Sequence, residues 1–364
     1  MTEKPGDRVK ELMTKLGWSQ AELAYVLGVT SATVNQVVNS KRPITPEMAK
    51  LLAVTFDRPP EEFSDLQARW SLANAPEPDK EVRVRAMAQS TYPLREMVKR
   101  GWIKDPKESG GAHGELCRFF GVNTLESVSS LKHAAKKSGS PEPTGEQWAW
   151  LYRVRAIARE MPTPGYSRSK LLDAVERMQA MRLSPEEIRH IPRLLHEAGV
   201  RYVVVEGLAG GKIDGVCTWL DDASPVIGMS LRFDRIDNFW FVLRHECAHV
   251  LHGHGKGTAI IDSDIRPLEN EVNEEEKVAN EEAADFCVPL DKMHSFYIRK
   301  NPFFSDADVR AFAKINRVHP GLVVGQLQHL TGEFRNLRQY LVNIRKFVTS
   351  SAMTDGYGQF VPVD

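Results

Sequence analysis

The sequence predicts a mainly α-helical protein with a small α+β part, and three observations support this class. Apolar residues recur at helical spacing through residues 8–67 and through most of residues 82–161. An apolar helical segment also begins near Asp234. Three β-branched runs bounded by Gly or Asp-Asp precede that segment, and they predict a small sheet. They are Arg201–Gly207, Gly215–Leu220 and Ser224–Leu231.

Composition bounds the class of protein. A length of 364 residues predicts two or three domains. A formal net charge of zero excludes global basicity, so a nucleic-acid partner would have to meet a local basic patch. The four cysteines lie far apart without a Cys-x-x-Cys pair, which argues against a disulfide framework or a zinc ribbon. No signal peptide and no run of 18 apolar residues is present, so we expect a cytoplasmic protein with no membrane partner.

Two breaks rich in Pro and charged or small residues divide the chain, at Ala75–Glu81 and at Pro162–Ser169. They predict a first domain over 1–74 and a helical middle region over 75–165. The three β-branched runs and the apolar helix then belong to a third domain over 166–300, and a C-terminal helical extension covers 301–364. Within this extension Phe334–Val348 has the pattern of a basic amphipathic helix, and we expect it to dock on the third domain.

The first domain contains two short helices joined by a tight turn. Ser19 and Glu22 form a capping box at the start of the first helix, and Gly28 ends it. Thr30 or Ser31 begins the second helix, which extends to Asn39. This order of caps and turn predicts a helix-turn-helix.

The second of these helices has one apolar and one polar side. The polar side presents small and amide side chains, which in a helix-turn-helix face base edges in the major groove. Basic residues just beyond the helix are suited to phosphate contacts. A small helical bundle with a merely solvated polar face is the alternative. The predicted DNA-contacting residues are Ser31, Ala32, Thr33, Asn35, Gln36, Lys41 and Arg42.

The order of caps, glycine and apolar positions from Trp18 to Phe56 resembles the Cro/C1-type helix-turn-helix, and Lys41–Gln67 is most similar to antitoxin-repressors of HigA type. The resemblance implies a five-helix bundle that binds a palindromic double-stranded DNA operator as a homodimer. It also allows a cognate toxin as a partner.

The apolar helical segment carries HECAH, a match to His-Glu-x-x-His at 245–249. Two histidines four apart lie on one helical face, so His245 and His249 can both reach one Zn²⁺. Glu246 is displaced about 100° around the helix, where it is placed to accept a proton from water rather than to bind metal. The alternative is a buried helix that contains these three residues by chance.

A third ligand is needed to decide between a metal site and a histidine-rich helix. The pattern with a downstream Gly and His fails, because positions 252 and 255 hold His252 and Gly255. A glutamate from a following helix is the other solution. Ala279–Leu290 has an apolar stripe, and Glu282 is positioned to project from that face. Most of the acidic run before Glu282 is expected to be solvated surface or loop.

RHECAHVLHG followed by EEAADFCVPL resembles the ImmA/IrrE family of zinc metalloproteases over roughly residues 170–300. The resemblance implies a minimal gluzincin-like domain in which His245, His249 and Glu282 hold Zn²⁺ and Glu246 is the general base. Ala284 and Cys287 depart from the family pattern, and Asp285 allows a shifted register with Glu281 as the ligand.

Together these features predict a DNA-binding transcriptional regulator with a zinc-dependent endopeptidase domain. The resemblance implies that it cleaves a repressor or antitoxin-type regulatory protein, or itself, in a stress response. The alternative function is a non-proteolytic, HigA-like antitoxin or transcriptional repressor whose zinc domain acts as a sensor or partner-binding scaffold.

Overall fold

A computed structural model of the protein describes residues 3–125, 127–128, 143–257, 259–263 and 274–362. The chain forms two compact units, Met1–Val82 and Arg83–Asp364. The first unit extends eight residues past the expected boundary at 74. Residues 83–165 of the predicted middle region lie in the second unit together with the two later predicted ranges.

The first unit contains a bundle of five helices, which agrees with the prediction. They are α1 (Pro5–Leu16), α2 (Gln20–Leu27), α3 (Ser31–Val38), α4 (Pro46–Phe56) and α5 (Pro60–Asn74). Ser19 and Glu22 form both bonds of the predicted capping box. At the start of α3 the capping side chain is that of Thr30, which accepts a hydrogen bond from the Thr33 amide. The apolar sides of the helices meet in one core that includes Leu23, Val34 and Phe63.

The second unit is mostly helical. Its helices are α6 (Lys80–Thr91), α7 (Leu94–Lys99), α8 (Ala112–Phe120), α9 (Gly145–Glu160), α10 (Arg168–Met181), α11 (Ile191–Glu197), α12 (Ile236–His252), α13 (Glu274–Cys287), α14 (Leu290–Lys300), α15 (Asp306–Asn316), α16 (Pro320–Thr331) and α17 (Arg345–Thr349). Short 3-10 turns lie at Pro185–His190 and Arg338–Tyr340. Over the described residues, no helix is both long and apolar enough to span a bilayer.

One mixed sheet organises this unit. Its strands are β1 (Arg201–Val205), β2 (Ile213–Trp219), β3 (Pro225–Met229), β4 (Ile260–Ser263) and β5 (Met353–Asp355). The spatial order is β4-β2-β3-β1-β5, with β3 antiparallel to β2 and parallel to β1. The three β-branched runs are thus confirmed as strands. The edge strands β4 and β5 were not predicted, because each has only three or four residues.

The sheet separates two hydrophobic cores, because successive side chains of a strand point to opposite faces. Tyr202 and Val204 of β1 enter the core that contains α12, whereas Val203 and Val205 enter the core that contains α9. Residues of the middle region therefore pack on one face of the sheet, and the C-terminal residues help to cover the other. This sharing of cores explains why the three predicted ranges form one unit.

One helix prediction in this unit is wrong. Phe334–Val348 is not one amphipathic helix, because contacts with the residues just before α12 hold its backbone in an irregular path. The amides of Ile344 and Arg345 donate to Asp234 Oδ1 at 2.8 and 2.7 Å. The segment does pack on the expected core, through Ile344 and Val348.

Candidate DNA-binding helix and metal centre

Helix α3 presents the polar side that the sequence predicted. Val34, Val37 and Val38 are buried, which turns the opposite side of the helix to solvent. Thr33 is half-buried, and the other predicted contact residues are exposed: Ser31, Ala32, Asn35, Gln36, Lys41 and Arg42. The amides of Lys41 and Arg42 both donate to the Gln36 carbonyl, so the two cations directly follow the end of the helix. The structure thus brings all seven predicted residues to one short segment.

A residue of α2 contributes to this surface and was not predicted. The Asn35 side-chain amide donates to Gln20 Oε1 at 3.0 Å, which links the first residue of α2 to the exposed side of α3. This bond uses one of the two Asn35 N–H groups and leaves Oδ1 and the other N–H for a ligand. Gln20 therefore orients a predicted base-contacting side chain.

Helix α12 carries the His-Glu-x-x-His motif within the core of the second unit. Phe239, Trp240 and Leu243 are buried in that core, and the helix ends at Gly253 in the left-handed conformation. His245 and His249 lie one turn apart and are fully buried. Their Nε2 atoms are 2.9 Å apart. The motif therefore presents two imidazole nitrogens at one point, as the spacing predicted.

The third donor at this point is Glu276, in the first turn of α13. Its carboxylate oxygens lie 3.4 Å from Nε2 of His245 and 3.4 Å from Nε2 of His249. One donor atom from each of the three residues lies within 4.8 Å of the others. Two imidazoles and one carboxylate form a donor set that Zn²⁺ accepts, with room for a further oxygen ligand. About a quarter of the Glu276 side chain is exposed, so the cluster is open to solvent on this side.

The expectation that Glu282 joins the histidines is therefore wrong. Its carboxylate is 2.6 Å from Arg244 and 2.8 Å from His252. Partial burial alone would raise the pKa of Glu282, but hydrogen bonds from His252 and Arg244 outweigh burial and lower it. Glu282 thus holds α13 against α12 as an ionised partner. Glu281, the alternative ligand, is exposed.

A signal for Glu276 was present in the sequence. Ala279 and Ala283 are fully buried on the face of α13 that packs on α12, and Glu276 lies three and seven residues before them. Positions separated by three and seven residues share one helical face, whereas a separation of six places Glu282 about 120° around the helix from Glu276. Extending the alanine stripe by one turn identifies Glu276. It was missed because most of the acidic run before Glu282 was expected to be solvated.

Glu246, the predicted base, points toward β2 rather than toward α13. Its side chain is fully buried, and a Cβ placed on Gly215 of β2 would lie 2.1 Å from Glu246 Oε1. The space for the carboxylate therefore exists only because residue 215 lacks a side chain. Gly215 is a site residue that sequence reasoning missed, and no local pattern distinguishes it from other strand glycines.

His252 and His254, the two other histidines at the end of α12, differ in their contacts. His254 Nδ1 lies 3.0 Å from His249 Nδ1, on the side of that ring away from the metal-facing nitrogen. Burial lowers the pKa of His254. His252 instead contacts Glu282, as described above. Neither belongs to the three-donor cluster, as the spacing predicted.

Cys247 lies on the same helix and is fully buried. Burial raises the pKa of its thiol to about 12, which keeps it protonated near neutral pH. Its role is that of a small apolar side chain in the core.

Comparison with known proteins concerns the first unit. The helix-turn-helix family model matches residues 9–63. The uncharacterized HTH-type transcriptional regulator YddM of Escherichia coli strain K12 is 35% identical over 72 residues, which are 20% of this chain and 77% of that protein.

Two solved structures also resemble this part of the chain. The Pseudomonas aeruginosa antitoxin HigA, solved with the higBA promoter, is 29% identical over 26% of this chain and 99% of that chain, with a TM-score of 0.21. A HigA-family addiction module antidote protein from Coxiella burnetii is 22% identical over 27% of this chain and 92% of that chain, with a TM-score of 0.18. At these TM-scores neither likeness carries an argument.

The family match and the relative agree with the capped helices and the exposed side of α3. The chain belongs, through its first unit, to the helix-turn-helix family of transcriptional regulators, and it is a DNA-binding protein.

Proposed function

We propose that the second unit is a zinc-dependent endopeptidase, so that one chain joins a DNA-binding regulator to a protease. The observation that supports this proposal is the convergence of His245, His249 and Glu276 at one point of the helix that also carries the buried carboxylate of Glu246. The resemblance of HECAH and the following helix to ImmA/IrrE proteases points to the same activity.

The residues fit zinc by their chemistry and their surroundings. Neutral imidazole and carboxylate are borderline and hard donors, a combination suited to Zn²⁺. Both histidines are fully buried, so their rings hold fixed positions, while Glu276 borders solvent. His245, His249 and Glu276 would hold the ion. When bound, zinc supplies a Lewis acid that lowers the pKa of water and polarises a peptide carbonyl.

The chain's own residues account for the proton transfers. Glu246 is buried against Gly215 and neighbours both histidines in the motif. Its carboxylate takes a proton from the attacking water and passes it to the leaving amine, which is the role of a general base and then a general acid. The cluster borders solvent beside Glu276, and the substrate peptide can approach it from this side. An extended peptide would align by adding to a sheet edge.

The substrate class follows from the fusion with a regulator. We propose that the protease cleaves a repressor or antitoxin-type protein, or this chain itself, and that the first unit binds a palindromic operator as a homodimer. A cognate toxin is a further proposed partner, since the segment Lys41–Gln67 is similar to HigA-type antitoxins.

The test is cleavage by zinc-loaded, full-length protein of the products of neighbouring genes, followed by mass spectrometry. Glu246→Gln removes the base but keeps the shape of the side chain, so it should retain zinc and operator binding and lose cleavage. Unchanged cleavage by Glu246→Gln would contradict the mechanism. Absence of cleavage by wild type, with zinc bound, would favour the non-proteolytic antitoxin or repressor whose zinc domain is a sensor or scaffold.

A further inference from the structure

A contact behind one of the candidate zinc ligands has no role in the mechanism above. Nδ1 of His254 lies 3.0 Å from Nδ1 of His249, within hydrogen-bond distance. One of the two nitrogens must donate. If His249 binds metal through Nε2, its proton is on Nδ1, so His249 donates and His254 accepts.

We propose that His254 is a positioning residue for the metal centre: it fixes the ring orientation and the tautomer of His249. This inference rests on the proposed function and deepens it. A metal-binding histidine needs a partner for its second ring nitrogen, most often a carboxylate or a carbonyl. Here a third histidine occupies that place.

The backbone around His254 holds its ring in position. Its amide donates to the His249 carbonyl at 2.9 Å, and its carbonyl accepts from Trp219 Nε1 at 2.7 Å. The carbonyl also lies 3.6 Å from Cys217 Sγ. The next residue, Gly255, has a φ of +77°, and a Cβ there would lie 2.8 Å from the Cys217 carbonyl. The backbone that follows α12 is therefore held against β2 at His254 and Gly255.

His252 provides a matched control two residues away. It belongs to the same helix end, but its Nε2 contacts Glu282 at 2.8 Å and more than a third of its side chain is exposed. A general sensitivity of this helix end to histidine replacement would affect both residues equally. A positioning role for His254 predicts different results.

The experiment measures the zinc affinity of the full-length chain by competition with a chromophoric chelator. His254→Leu removes the acceptor, and we expect a loss of about 10- to 100-fold in zinc affinity. His254→Asn has the same shape as Leu but offers an amide oxygen near the position of Nδ1, so it should restore most of the affinity. His252→Leu should leave zinc affinity unchanged.

Three results would overturn the inference. Wild-type zinc affinity in His254→Leu would show that the contact has no role. Equal losses of zinc affinity in His254→Leu and His254→Asn would show that a hydrogen-bond acceptor at this position does not support His249. The double variant His245→Ala, His249→Ala lacks both histidine ligands. If wild type binds zinc no more tightly than this variant, the inference and the proposed function are overturned together. Tight zinc binding without peptide cleavage contradicts the peptidase alone.

A second variant covers the case in which His254→Leu does not fold. Trp219→Phe keeps an aromatic ring but removes the indole donor to the His254 carbonyl. Weaker zinc binding by Trp219→Phe supports the inference, with thermal denaturation as the check on folding. Unchanged affinity contradicts it.

Discussion

Helices α3 and α12 are the two candidate functional helices, and they present their residues in opposite ways. The functional side of α3 is exposed, and its apolar side is buried in a small core. The functional residues of α12 are fully buried, and their partners come from β2 and from α13. Helix α3 presents a surface of its own, whereas α12 contributes to a site that other elements complete.

This difference explains which residues the sequence could identify. The solvent-facing polar side of α3, which we predict to contact DNA, follows from caps and helical periodicity within twenty residues, so all seven predicted residues lie together. A site completed by other elements depends on how those elements pack. Helical spacing alone gave the histidine pair, but not its third donor.

The largest expected effect tests whether α13 completes the site through Glu276. Glu276→Ala removes a candidate ligand and should lower zinc affinity by more than the roughly 100-fold typical of a lost supporting contact. Glu282→Ala is the matched control on the same helix and should leave zinc affinity close to that of wild type. Chelator competition measures both. A greater loss in Glu282→Ala would restore the assignment made from sequence.

The next effect tests the contribution of β2. Gly215→Ala places a Cβ where Glu246 Oε1 lies, so the carboxylate must shift by about 1 Å, and cleavage should fall by about 100-fold. Zinc affinity should change little, because the three atoms nearest to that Cβ position belong to Glu246 and Val242 rather than to a histidine. Gly207→Ala is the control, since its nearest neighbour would be Ser230 Cβ at 3.7 Å. Equal cleavage rates in the two variants would show that the Glu246 carboxylate does not act from its position beside Gly215.

A smaller effect concerns recognition by α3. Asn35→Ala should cost about 1–3 kcal/mol of discrimination at one base pair of the operator. Gln20→Ala should cost less, because Asn35 stays but loses the bond that orients it. Lys41→Ala should instead weaken binding to all DNA sequences. It should also reduce the slope of log affinity against log salt concentration by about one, as expected for one lost phosphate contact. Competition binding with operator variants distinguishes these outcomes, and an unchanged sequence preference in Asn35→Ala excludes it as a reader.

The smallest effect concerns the stability of α3. Thr30→Ala removes the capping oxygen that accepts from the Thr33 amide and should lower the free energy of opening of α3 by about 1 kcal/mol. Ser31→Ala is the control, since the side chain of the neighbouring residue makes no capping bond. Hydrogen exchange of the α3 amides in the full-length chain measures the difference. Equal protection in both variants contradicts the assignment of Thr30 as the cap.

The sequence predicted the elements that have local signals and missed those fixed by distant contacts. The three β-branched strands and the motif helix were predicted from local sequence patterns, and the five-helix bundle was implied by the resemblance to the Cro/C1-type helix-turn-helix. Strand β5 forms because Asp355 is buried against Arg153 and Trp102, some two hundred residues earlier in the chain. The irregular path near Ile344 likewise depends on Asp234. Glu276 was predictable in principle from the Ala279 and Ala283 stripe, whereas Gly215 required the packing of β2 against α12.

The central claim is that His245, His249 and Glu276 form a zinc centre. Anomalous diffraction at the zinc edge from crystals of the zinc-loaded, full-length chain tests it most directly. We expect a peak within about 2.2 Å of the Nε2 atom of His245, of the Nε2 atom of His249 and of one carboxylate oxygen of Glu276. A peak between His252 and Glu282, or no peak beside α12, would contradict it.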